Sequence, residues 1–182
     1  MRALRGEPGG DGPDRLKAGG RGPAPLGSGS RSLLVLAAML IAALDFASKV
    51  YFAGLVRGAG GRIEVAPFLN LVEVYNTGAA FGILAGAQQY LGIFSLLLCI
   101  ALYLAIHLHK GLRMELGWCL ALLLGGGAGN AIDRLHKGRV FDFVDLHLAG
   151  WHWPAFNLAD MALTAGALLL AWQALRPAPK KP

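Results

Sequence analysis

Apolar residues occur along this chain in four long runs, with polar segments between them. The runs cover about residues 32–54, 88–107, 112–131 and 154–175. Each contains close to the roughly 20 residues that a helix needs to cross the hydrocarbon core of a bilayer. The pattern therefore predicts an all-α integral membrane protein in which residues 32–175 form one domain of four transmembrane helices.

The segment between the first two runs has a different pattern. Residues 62–74 alternate and carry β-branched side chains, as in Ile63-Glu64-Val65, which predicts short strands. Asn76-Thr77-Gly78 follows as a turn signal. The later segment 133–153 is short and polar and ends near two tryptophans, so it is expected to be a loop at the membrane interface.

Composition and charge support a membrane protein and indicate its orientation. The chain is 55% hydrophobic and 15% charged, with a mean hydropathy of +0.50, which is unlike an ordinary soluble domain. The basic residues concentrate before the first run, between the second and third, and after the last. By the positive-inside rule this predicts that both termini are cytoplasmic. The same placement explains the excess of Lys and Arg over Asp and Glu without a nucleic-acid partner.

The two ends of the chain are predicted to be tails. Residues 1–31 are rich in Gly, Pro and Arg and have no apolar periodicity, which predicts a disordered cytoplasmic segment. Residues 176–182 form a second cytoplasmic tail. The first apolar run is too long for the core of a signal peptide and contains Asp45 and Lys49, so an uncleaved first span is expected.

The predicted topology brings the charged and amide side chains of the spans to one side of the membrane. Spans one and three run outward and span four runs inward, so these residues fall in or beside the outer leaflet: Asp45, Lys49, Asn130, Asp133, Arg134, Asn157 and Asp160. Spacing along the helices places Asn157 and Asp160 on one face of span four. Because charges within a membrane are costly, this clustering predicts a buried, partly hydrated site.

Two carboxylates near this site could perform acid–base chemistry. Asp142 lies between Phe141 and Phe143, and Asp160 lies at the start of the last span. Two carboxylates that share a site can share one proton. The ionised member can then activate a water while the protonated member supports an oxyanion. Spacing alone does not distinguish Asp142 from Asp145, and either could instead be a solvated loop residue.

The other polar residues have simpler interpretations. Asp45 and Lys49 are four residues apart and are predicted to form an ion pair. Asp133 and Arg134 could form an ion pair or an interface anchor. Cys99 lies in an apolar span, as does Cys119, and both are expected to serve packing.

Two other classes of function remain open at this stage. A small transporter or proton-relay protein could use the same buried carboxylates. A metal-dependent hydrolase could use the histidine-rich segment, with irregularly spaced candidate ligands at His136, Asp142, Asp145, His147 and His152.

Five motifs in order along the chain resemble those of a known family. They are Asp45-x-x-x-Lys49, Asn76-Thr77-Gly78-Ala79-Ala80-Phe81, Gly126-x-x-Gly129-Asn130-x-x-Asp133-Arg134, Val140-x-Asp142-Phe143 and Phe156-Asn157-Leu158-Ala159-Asp160. Together they resemble bacterial lipoprotein signal peptidase, the type II signal peptidase. The resemblance covers about residues 32–175, and the tail before residue 32 departs from the family pattern.

The resemblance implies a membrane aspartic protease with four transmembrane helices and a small extracytoplasmic β-cradle. Such enzymes cleave a prolipoprotein before its diacylglyceryl-modified cysteine. The match assigns the catalytic pair to Asp142 and Asp160 and thereby selects Asp142 over Asp145. It assigns roles around the pair and the substrate to Asn76, Asn130, Arg134, Asn157, Asp45 and Lys49. It also implies a monomer of the bacterial cytoplasmic (inner) membrane, without cofactor or metal, whose partners are lipidated prolipoproteins and membrane lipid and whose site lies near the outer leaflet.

Overall fold

The computed structural model of the protein describes residues 26–78 and 87–176. Most of the predicted N-terminal tail, nearly all of the C-terminal tail and the Ala79–Phe81 part of the second motif lie outside these residues. The described residues form four helices and four strands in the order α1 (Ser28–Gly58), β1 (Arg62–Ala66), β2 (Leu69–Asn76), α2 (Gln88–Leu108), α3 (Met114–Lys137), β3 (Val140–Leu148), β4 (Trp151–His152) and α4 (Leu158–Leu175). The fold is therefore mostly helical with a small sheet.

Three of the described helices, α1, α2 and α4, are long and apolar enough to cross a membrane. Only 17% to 22% of the residues in their apolar windows are buried within the protein. Such extensive apolar exposure would be unfavourable in water and fits contact with lipid. Helix α3 is long enough but falls outside this set, since its glycines, Asn130 and Asp133 dilute its apolar content.

The helices differ from the expected spans mainly at their ends. Helix α1 extends four residues beyond each predicted boundary, and its first turn includes Arg31, which the sequence pattern had placed in the tail. The Arg31 guanidinium donates hydrogen bonds to the carbonyls of Ile106, His107 and His109 at the end of α2. These carbonyls lack helical partners, so Arg31 caps α2 and orders the start of α1.

The sheet is antiparallel, in the order β1-β2-β3-β4. Strands β1 and β2 confirm the prediction for residues 62–74. The expectation of a polar loop over residues 133–153 is wrong, because α3 continues to Lys137 and β3 follows from Val140. The first four residues of β3 are buried. Since β3 pairs with β2, Asp142 belongs to a strand and not to a loop.

Helix α3 packs against each of the other three helices, and its glycines permit the close approach. A Cβ atom at Gly126 would lie 2.5 Å from the carbonyl oxygen of Ala159 in α4. A Cβ atom at Gly129 would lie 2.5 Å from the Asp45 carboxylate of α1. Both distances are far below van der Waals contact, so the small residues of α3 bring α1 and α4 to the same level of the bundle.

Candidate active site

Asp160 is held in the first turn of α4 by a reciprocal cap. The Asn157 side chain accepts a hydrogen bond from the Asp160 backbone N–H (3.0 Å), and the Asp160 carboxylate accepts one from the Asn157 backbone N–H (3.1 Å). This is a capping box. Asn157 is therefore the N-cap residue and not part of the helical face, which corrects the predicted start of span four from residue 154 to Leu158.

Asp142 reaches the same point from the sheet. Backbone hydrogen bonds between Val144 and Phe156, 2.9 and 3.0 Å long, hold β3 beside the chain that enters α4. The Asn157 Nδ2 group donates to Asp142 Oδ1 at 2.6 Å. One asparagine thus caps the helix that carries Asp160 and binds the carboxylate of Asp142, so it links the two predicted catalytic residues.

Asn130 connects this pair to α1. Its Nδ2 donates to Asp160 Oδ1 at 2.7 Å, and its Oδ1 accepts from Lys49 Nζ at 3.1 Å and from Asn157 Nδ2 at 3.2 Å. Since Lys49 and Asn157 both donate to this oxygen, the amide is fixed with its N–H side towards Asp160. Two donors, from Asn130 and the Asn157 backbone, can then stabilise a negative charge on Asp160.

Lys49 forms a buried ion-pair network. Its Nζ lies 2.7 Å from Asp45 Oδ2 and 2.8 Å from Asp133 Oδ2, which confirms the predicted pair with Asp45. Asp133 also pairs with Lys137 at 2.9 Å and not with Arg134, so that proposed pairing is wrong. The other oxygen of Asp45 accepts the backbone N–H of Ala159 in α4 at 2.9 Å.

Asp133 is thus a member of the site network, although the family resemblance assigns it no role around the pair or the substrate. Its side chain is only 2% exposed, although it lies near the end of α3. Two features of the sequence indicate this role. Lys137 follows Asp133 at i+4, and Asp133 shares a motif with Asn130.

Asn76 and Arg134 lie at the edge of the site. Asn76 ends β2, accepts a hydrogen bond from the Gly78 N–H at 2.8 Å, and lies close enough to Asp142 for its amide to act on that carboxyl. Arg134 Nη2 donates to the Gly78 carbonyl at 3.3 Å, and its charge acts on Asp160 and Asp142. The structure therefore brings all eight predicted site residues into one contiguous region.

Burial and the nearby charge of Asp160 raise the pKa of Asp142 to about 7. The hydrogen bond from Asn157, the nearby amide of Asn76 and the charge of Lys49 oppose this shift only in part. The Asp142 carboxyl can therefore hold a proton near neutral pH while a charged carboxylate lies beside it. That is the electrostatic condition for a pair that combines an acid and a base.

Asp145 belongs to a different cluster. Side chains three positions apart along a strand lie on opposite faces of the sheet. Asp145 therefore points away from Asp142. It accepts a hydrogen bond from Asn70 at 2.8 Å and lies 2.8 Å from His152 Nδ1. Burial raises its pKa, but the hydrogen bonds from Asn70 and His152 lower it overall.

Within residues 26–78 and 87–176, no three His, Cys, Asp or Glu side chains form a group that could hold a metal.

The fold and this region together define a multi-pass membrane protein that places a buried carboxyl, Asp142, beside a partly buried one, Asp160. The sequence model of signal peptidase (SPase) II matches residues 37–176. The chain belongs to the signal peptidase II family and is a membrane peptidase.

Named relatives and solved structures agree with this assignment. A lipoprotein signal peptidase of Paraburkholderia phymatum is 45% identical over 144 residues, which cover 76% of this chain and 85% of the relative. One of Anaplasma phagocytophilum is 37% identical over 75% of this chain and 88% of the relative. A solved bacterial membrane enzyme superposes with a TM-score of 0.69 at 32% identity, covering 79% of this chain and 88% of that structure. A second superposes with a TM-score of 0.68 at 31% identity, covering 81% and 95%.

Proposed function

We propose that this protein is an aspartic endopeptidase that removes the signal peptide from diacylglyceryl-modified prolipoproteins, cleaving before the lipidated cysteine. The observation that carries the proposal is the link through Asn157, whose side chain binds Asp142 and caps the helix turn that holds Asp160. The family membership supplies the substrate class, and the two carboxylates supply the chemistry.

The proposed reaction uses a water held between the two carboxyl groups. Asp160 is ionised and hydrogen-bonded by Asn130. It accepts a proton from the water as the water oxygen attacks the scissile carbonyl. Asp142, protonated at neutral pH, donates its proton or a hydrogen bond to the developing oxyanion. When the intermediate collapses, Asp142 keeps or takes back its proton as the carbonyl re-forms, the C–N bond breaks, and the proton on Asp160 passes to the leaving amine.

The surrounding residues are proposed to position this pair. Asn130 orients Asp160, and Lys49 orients Asn130 through the hydrogen bond to its side-chain oxygen. Asp45 and Asp133 neutralise Lys49, so the ammonium can stay buried beside the site. Asn76 and Arg134 lie where the chain continues towards residues 79–86 and are proposed to contact the substrate.

The proposed location is the outer leaflet of the bacterial cytoplasmic membrane, with both termini in the cytoplasm. Among the described residues, the fully buried charged and amide side chains lie at the end of the helical bundle that carries the sheet. A diacylated cysteine could present its peptide bond at this depth and keep its acyl chains in hydrocarbon. A transporter would need polar groups along a whole path, so the one-sided distribution favours the peptidase.

Cleavage is expected to require the lipid. The purified protein should cleave a precursor peptide that carries a diacylglyceryl cysteine and leave the same peptide with a free cysteine largely intact. The acyl chains hold the peptide at the membrane and at the site, which raises the effective concentration of the scissile bond. Mass spectrometry of the products measures both the rate and the cleavage position. Equal cleavage of the two peptides, or cleavage at another bond, contradicts the proposal.

The rate is expected to depend on the proton of Asp142. Because its pKa lies at about 7, kcat/KM should fall as the pH rises above that value, by about tenfold per pH unit once the proton is lost. The same raised pKa stabilises the folded protein at low pH, a contribution that is lost as the pH rises through about 7. The fall in kcat/KM on the alkaline side is measured from a pH profile of precursor cleavage. The Asp145→Asn variant is the control, and its kcat/KM should fall over the same pH range. A rate independent of pH from 6 to 9 contradicts the assignment.

A further inference from the structure

A cavity of about 590 Å³ lies beside the proposed active site. It is formed by the outer two turns of α1, the end of α3 and strands β2 and β3, and it is lined by Lys49, Val50, Ala53, Gly54, Arg57, Tyr75, Lys137, Arg139 and Phe141. Its size suits a small ligand or part of a lipid. Asp142 and Asp160, the groups proposed to act on the scissile bond, do not line it, although Lys49 of the positioning network does.

The lining has four cationic side chains and no acidic one among the described residues. Three of the four have carboxylate partners outside the lining. Lys49 and Lys137 pair with Asp133, and Arg57 pairs with Glu73 at 2.9 Å. Arg139 has no ion pair within the described part of the chain. It stacks on Tyr75, with its guanidinium carbon 3.9 Å from the ring centroid.

This arrangement of Arg139 is suited to an anion. Stacking on an aromatic ring fixes the guanidinium plane and leaves its N–H edges available for two parallel hydrogen bonds. Phosphate oxygens match that geometry. The Arg57 guanidinium is held near Tyr75 by a hydrogen bond to the phenol oxygen at 2.9 Å, but its charge is balanced by Glu73. Arg139 is therefore the cation on this side of the cavity that is left to bind an anion.

The remainder of the cavity is apolar and continues into a lipid-exposed surface. Val50 lies on its wall and is 57% exposed, and Phe46, one helical turn further into the membrane, is 52% exposed. Residues four apart lie on the same face of a helix. The surface is therefore cationic near the sheet and apolar towards the bilayer interior, as an amphiphile with an anionic head requires.

We propose that this cavity binds the phosphodiester headgroup of an anionic membrane phospholipid, with an acyl chain along Val50 and Phe46. A diacylglyceryl cysteine has no charged lipid headgroup, so these cations do not serve the lipid of the proposed substrate. A net anionic headgroup fits better than a zwitterionic one, because the lining cations would repel an ammonium group. The bound lipid would hold the ends of α1 and α3 against β2 and β3.

Thermal unfolding of the full-length protein in detergent micelles tests the proposal. Added phosphatidylglycerol should raise the unfolding midpoint in a saturable way, and phosphatidylcholine or inorganic phosphate at the same concentration should not. Arg139→Gln should weaken the apparent affinity for phosphatidylglycerol roughly tenfold or more, since it removes charge-assisted hydrogen bonds. Arg139→Lys should recover part of the affinity, because it keeps the charge and loses the planar fork.

Arg62→Gln is the matched control. Arg62 is also an exposed arginine at the sheet end and pairs with Glu64, but it does not line the cavity. This variant should keep the affinity of the unaltered protein. Equal stabilisation by phosphatidylcholine or by inorganic phosphate overturns the proposal. So does an unchanged affinity in Arg139→Gln, or an equal loss in Arg62→Gln.

Discussion

Replacing either Asp142 or Asp160 with asparagine is expected to lower the rate of precursor cleavage by roughly 10²- to 10⁴-fold. Asparagine has nearly the same shape, but it cannot accept the proton of the water or donate a carboxyl proton. The hydrogen bond from Asn157 to residue 142 and the cap at residue 160 can partly persist. The protein should therefore still insert into the membrane and accumulate. Cleavage of a lipidated precursor and the amount of membrane-inserted protein are both measured.

The matched control for this prediction is Asp145→Asn. Asp145 lies on the same strand and is 7% exposed, but its partners are Asn70 and His152. This variant should cleave the precursor at close to the unaltered rate. Full activity in Asp142→Asn or Asp160→Asn rules out the proposed dyad, and loss of activity in Asp145→Asn alone points to the other carboxylate.

Replacing Lys49 with methionine is expected to destabilise the protein by about 3–5 kcal/mol, because the change leaves buried carboxylates without their cation. Lys49 is 2% exposed and contacts Asp45, Asp133 and Asn130. Asp133 keeps its pair with Lys137, so Asp45 is the residue left with an uncompensated charge. The cleavage rate should also fall, since Asn130 loses the donor that orients it towards Asp160. Thermal or denaturant unfolding in detergent measures the stability.

A second variant separates this charge effect from a simple loss of packing. Combining Lys49→Met with Asp45→Asn removes the unpaired charge and should recover part of the lost stability. Lys110→Met is the control for the substitution itself, because Lys110 is exposed between α2 and α3, and it should change the stability by less than about 0.5 kcal/mol. If the double variant is no more stable than Lys49→Met alone, the buried charge of Asp45 is not the cause.

Local sequence patterns were sufficient for the features that depend on neighbours along the chain. Asp45 and Lys49 could be paired in advance, because residues four apart on a helix are always adjacent. The strands within residues 62–74 followed from alternation. The end of α3 was predicted six residues too early, since Asp133, Arg134 and Lys137 suggest a loop when their partners are unknown. Their burial depends on other elements.

The start of α4 carries a local signal that is independent of the apolar pattern. Asn157 followed three residues later by Asp160 is a capping pattern, which places the helix start after Asn157. The apolar pattern instead began the span at Pro154. Hydrophobicity shows how far a segment stays apolar, whereas the cap determines where its backbone becomes helical.

The sequence by itself determined the membrane class, the approximate spans and the grouping of the polar residues on one side, because hydrophobic length and charge placement act through the bilayer and not through tertiary contacts. Only the tertiary structure decided which side chains meet. It separated Asp142 from Asp145 by placing them on opposite faces of β3, and it joined Asp142 to Asp160 through Asn157. The contact of Asn157 with Asp142 joins residues 15 positions apart, and the separation of Asp142 from Asp145 depends on which face of the strand is covered. Local periodicity carries no information about either.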